Sequence, residues 1–86
     1  MNNPQEQYEQ MRKAFQDNVS AIRDLLDQVD NLNQIVTTVE DNNAKERLSK
    51  SIEGLHKTID SLIKHTDYLF EQLIKYASII ERSKIT

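Results

Sequence analysis

The chain has 86 residues and a formal net charge of −3 at neutral pH, with one glycine, one proline and no cysteine. That length allows a single domain, and so few turn-forming residues exclude a loop-rich fold or a glycine-rich phosphate loop. Without cysteine there is neither a disulfide framework nor a thiolate zinc site, and without a clustered basic surface phosphate-driven nucleic-acid binding is not expected.

No apolar run approaches the ~20 residues of a membrane span, so no membrane insertion is expected. The start MNNPQEQYEQ shows no basic stretch followed by an apolar one, and so does not read as a secretory signal. The expected location is the cytoplasm, or outside the cell by a non-classical route.

The first element is expected over about 4–40. Asn3-Pro4-Gln5-Glu6 places a cap acceptor, a proline at the first helical position and an acid three residues past the cap. From there Tyr8, Met11, Phe15, Asn18, Ile22, Leu25, Val29, Leu32, Val36 and Val39 recur in alternating steps of three and four. That is a heptad seam, with Tyr8 at position a, Met11 at d, and Asn18 as its one polar member.

Continued in the same phase, the pattern reaches Asn43, Glu46 and Lys50, so the seam ends at Val39. A turn is expected at about 41–43. Asn43 with Glu46 offers a second capping box, and asparagine tolerates the left-handed conformation that often ends a helix.

The second helix is expected over about 44–83. Its seam is Leu48, Ile52, Leu55, Ile59, Leu62, Thr66, Leu69, Leu73, Tyr76 and Ile80, again with one polar member. Folding the chain at the turn pairs Val36 with Leu48, Leu25 with Ile59 and Ile22 with Leu62. Asn18 then meets Thr66, Phe15 meets Leu69, and Tyr8 meets Tyr76. A single Asn18–Thr66 layer is expected to fix the register, each polar group satisfying the other. The fold class is therefore all-α: an antiparallel two-helix coiled-coil hairpin, and, because two helices bury little, half of a four-helix bundle.

Apolar residues outside the seam indicate where the other half sits. Val19 and Leu26 on helix 1, and Ile63 and Phe70 on helix 2, stand at e positions, with Ile74 and Ile79 extending the apolar surface toward the C-terminal end. These six are the expected partner interface, and the expected partner is another helical protein or a second copy of the chain. Lys50, Lys57 and Lys64 fall at successive f positions, each followed three residues later by Glu53, Asp60 or Asp67. That pattern reads as a solvated face with weak ion pairs.

Chemistry is not expected. Glu53-Gly54-Leu55-His56 has the Glu-x-x-His spacing of di-iron bundles, but Glu53 at b and His56 at e both turn away from the seam. His65, at g, has no second ligand nearby. No catalytic residue, metal or cofactor is assigned.

The rhythm AIRDLLDQVDNLNQI, the central turn and the segment LFEQLIKYASIIERS together make the chain resemble the small WXG-type helical-hairpin proteins of bacterial type VII secretion. It is similar, too, to the hairpin partners of the large LXG toxins. The turn Val39-Glu40-Asp41-Asn42-Asn43 has neither the Trp nor the Gly of the defining motif. The family's export signal, a Tyr followed four residues later by an acid, is also displaced: Tyr76 is followed at that distance by Ile80, and Glu81 comes one later. The resemblance implies a divergent member that pairs with, and targets, a secreted effector. A small coiled-coil subunit of a larger assembly, or a phage-encoded helical inhibitor, is the alternative.

Overall fold

A computed structural model describes residues 3–85. These form two helices, α1 over Pro4–Thr38 and α2 over Asn42–Ile85, and no strand. The helices pack antiparallel along their length into a rod with extents of 67 × 20 × 15 Å. The expected all-α hairpin is what the chain forms.

The start of α1 follows the local code. The Asn3 side chain accepts a hydrogen bond from the Gln5 N–H at 2.8 Å, satisfying a donor that the first helical turn leaves unpaired. Pro4 occupies the first turn, where its missing N–H costs nothing, and Glu6 adds an acid at the positive end of the helix dipole.

The turn departs from expectation. Helix 1 stops at Thr38, earlier than 40, and α2 starts at Asn42. Val39 leaves the helix in an extended conformation (φ −83°, ψ 129°), and no described residue has a positive φ. No left-handed asparagine is used. Two threonines lie in the last turn. The Thr37 and Thr38 hydroxyls donate to the Gln34 and Ile35 carbonyls at 2.6 and 2.9 Å, occupying acceptors at the end of the helix with side-chain bonds. The cap of α2 is Asp41 rather than Asn43: its carboxylate accepts from the Asn43 N–H at 3.0 Å, and its carbonyl from the Lys45 N–H at 3.0 Å. An aspartate two residues upstream competes for the same role and starts the helix sooner.

The register agrees with the heptad pairing. Tyr76 donates its hydroxyl to Gln7 Oε1 at 2.7 Å, beside the expected Tyr8–Tyr76 layer. Phe15 and Phe70 lie with ring centroids 6.0 Å apart, beside the Phe15–Leu69 layer. Every seam position of both helices is buried or half-buried.

The core is nevertheless thin. Among the described residues only Val29, Ile59 and Leu69 are buried, and no side chain is enclosed completely. A two-helix seam covers each side chain from one direction, leaving the flanks of the seam open to water.

A candidate partner-binding edge

Position e lies beside a, and position g beside d, so an antiparallel pair places both e rows on one broad face of the rod and both g rows on the other. The e face carries Val19 and Leu26 from α1 and Ile63 and Phe70 from α2. Ile74, at b, adjoins Phe70 and continues the patch toward the C-terminal end.

Burial agrees with this arrangement. Val19 is half-buried, whereas Leu26, Ile63, Phe70 and Ile74 are 43–54% exposed. Large apolar side chains that open to water normally occur singly; here four share one face. At ~1.5 Å per residue the patch runs for about 25 Å along the rod. Phe70 is its anchor, one side of the ring resting on Phe15 and half of its surface still open.

Ile79 does not join this patch. It stands at g, on the opposite face, together with the exposed Ile35 and Tyr68. The sequence grouped it with Ile74 because the two are close along the chain, but five residues of helix turn the side chain by about 140°. Tyr68, which was not among the expected interface residues, stacks on His65 with ring centroids 6.3 Å apart. The three-residue spacing of these two rings was the available signal.

Asn18 and Thr66 both sit half-buried on the seam, but they do not satisfy each other. The Thr66 hydroxyl donates to the Leu62 carbonyl of its own helix at 2.6 Å. The Asn18 amide nitrogen Nδ2 is buried with no hydrogen-bond partner. Thr66 has a nearer acceptor one helical turn back, and taking it costs no rearrangement of the facing helix.

The charged surroundings of the edge are also different from the sequence pattern. The f-row lysines reach back four residues rather than forward three, Lys50 to Glu46 at 3.5 Å and Lys57 to Glu53 at 3.8 Å. Side chains on a helix lean toward its N-terminus, which makes Glu followed by Lys four residues later the favoured pair. Arg12 is engaged by Glu9 at 2.7 Å, and that hydrogen bond and charge hold its guanidinium above its ordinary pKa. Among the described residues, Asp60 and Asp67, beside Ile63 and Phe70, make no ion pair, and neither does Arg23, beside Val19 and Leu26.

Nothing here assembles reactive groups. His56 is exposed, Glu53 turns to Lys57, and no cluster of three or more potential metal-ligating His, Cys, Asp or Glu occurs among the described residues. Gly54 faces open space, and a Cβ placed there meets nothing within 4 Å. No described helix is long and apolar enough to cross a membrane.

Fold and surface together define a helical hairpin with large apolar side chains left exposed, four of them on the e face. No protein-family model, curated protein or solved structure matches the chain.

Proposed function

We propose that the protein is a non-enzymatic interaction module whose e face docks another helical protein to complete a four-helix bundle. One observation carries this reading: Leu26, Ile63, Phe70 and Ile74, which share a face by heptad position, remain about half exposed. Covering them removes apolar surface from water at about 25 cal/mol per Å², a gain the isolated hairpin forgoes. The thin core supports the same conclusion, since a second hairpin would enclose seam residues that are now covered from one side.

The resemblance to type VII hairpin proteins supports a more specific role. In that reading the chain pairs with a secreted effector and helps target it to the export machinery, leaving the cytoplasm with its partner. The test is affinity capture of the tagged full chain from its own cells, followed by mass spectrometry. Wild type is expected to retain one helical protein in stoichiometric amount, and Phe70→Asp to lose it while remaining helical by circular dichroism. Equal retention by both proteins would place the interface elsewhere. A retained partner belonging to a structural assembly or to a prophage would replace the secretion role and keep the docking face.

A further inference from the structure

We infer that the e face selects its partner by charge: it takes a basic amphipathic helix of another protein, which lies along the α2 side of the face and sets lysine or arginine against Asp60 and Asp67. The inference rests on the docking role proposed above and adds what the partner must carry.

Position b lies next to e on its outer side, so the b row of each helix borders the face. On α2 that row reads Glu46, Glu53, Asp60, Asp67, Ile74 and Glu81, acidic at every position except the one where the apolar patch spreads outward. All six side chains are exposed. One charge repeated at heptad spacing along one border is a row that a docked helix can follow, because its own flanking residues recur at the same spacing.

The ion pairs divide this row in two. Away from the patch the acids are already matched, Glu46 by Lys50 at 3.5 Å and Glu53 by Lys57 at 3.8 Å. Beside Ile63 and Phe70, Asp60 and Asp67 make no ion pair among the described residues. Aspartate is one methylene shorter than glutamate, so Asp60 has less reach toward Lys64 than Glu53 has toward Lys57. Four residues after Asp67 comes Glu71, a second acid rather than a lysine. The unmatched negative charge of this row therefore borders the open apolar surface.

A second copy of the chain does not supply the complement. The other border of the face, the b row of α1, reads Glu9, Gln16, Arg23 and Asp30, one base against two acids. Docked through this face, a copy offers α2 either that row or the acidic row itself, and like charges across an interface are disfavoured. A helix of another protein with basic residues beside its apolar row covers Ile63 and Phe70 and neutralises both aspartates. Charges at such a border decide which partner is accepted more than how tightly it is held.

Synthetic helices test the inference on the full-length chain. Two three-heptad amphipathic peptides, about 30 Å long when helical, share one leucine seam and differ only in the flanking positions, lysine in one and glutamate in the other. Fluorescence anisotropy is expected to show the lysine peptide bound about tenfold more tightly at low salt, with the difference shrinking as salt is raised. Asp60→Lys combined with Asp67→Lys, at two exposed helix positions, should reverse the preference while the hairpin stays helical. Phe70→Asp should abolish binding of both peptides. Equal binding of the two peptides through Phe70 overturns the charge selection and keeps the docking face. A lysine preference that persists in the double variant overturns it as well, by placing the selectivity elsewhere. A wild type that sediments as a dimer held through Phe70 gives the face to a second copy and overturns the inference. If neither peptide binds at about 1 mM, a very weak affinity for any specific contact, the inference falls, and capture of a helical protein through Phe70 then decides the docking role by itself.

Discussion

Asn18 is the residue at which the seam departs from its own pattern most expensively. Its Nδ2 is buried without a partner, a condition that costs about 1–3 kcal/mol relative to a satisfied group. Asn18→Leu removes that cost and restores an apolar d position, so stability should rise by about 1–2 kcal/mol, read as an upward shift of the urea midpoint. Combined with Thr66→Leu the gain should exceed the sum of the single changes, since each leucine finds an apolar neighbour across the layer only when both are present. Purely additive changes would show that the two positions do not meet. Gly54 lies at the other extreme. With open space around its Cα, Gly54→Ala should stabilise the helix by about 1 kcal/mol without loss of partner binding. Lost binding in that variant would reveal a partner backbone approaching closely there.

Each helix is held at its ends by a few side chains, and these set its length. Asn3 caps α1 and Asp41 caps α2, so Asn3→Ala and Asp41→Ala should each cost about 1 kcal/mol. Asp41→Ala should also let the start of α2 slide toward Asn43, the next acceptor along, visible as faster amide hydrogen exchange over the first turn. At the open end the two helices are joined by the 2.7 Å Tyr76–Gln7 hydrogen bond. Tyr76→Phe keeps the ring and removes the bond, at an expected cost of about 0.5–1.5 kcal/mol. Exchange should accelerate near Gln7 and Tyr76 and stay unchanged near the turn; uniform acceleration would mean that the bond supports the whole rod rather than its end.

At the scale of the whole molecule, the rod is a closed seam with exposed apolar side chains on both faces, the larger number on the e face. Phe70 joins the two conditions: it packs on Phe15 inside the hairpin and offers the rest of its surface to whatever docks. Phe70→Asp should abolish association, since a charge buried in a dry interface without a counter-ion is strongly unfavourable. The hairpin itself should lose only the ring contact with Phe15 and remain helical. Ile79→Asp, on the opposite face, should leave association intact. Equal loss in both variants would mean that partners cover both faces.

The heptad phase determined the helix count, the antiparallel pairing and the register, because a seam with one possible turn leaves a single way to align its layers. Composition determined that the surface would be mixed in charge. The tertiary structure decided three other matters. It moved the turn, since Asp41 caps α2 two residues before Asn43, a choice that a heptad count does not weigh. Thr66 donates to its own helix and the Asn18 nitrogen finds no partner among the described residues, because where polar groups meet is a property of geometry and not of spacing. Finally, it left Leu26, Ile63, Phe70 and Ile74 about half exposed after the seam had closed. A one-dimensional pattern shows which residues are apolar or charged and which share a helix face; only the folded pair shows which remain uncovered once the seam is closed.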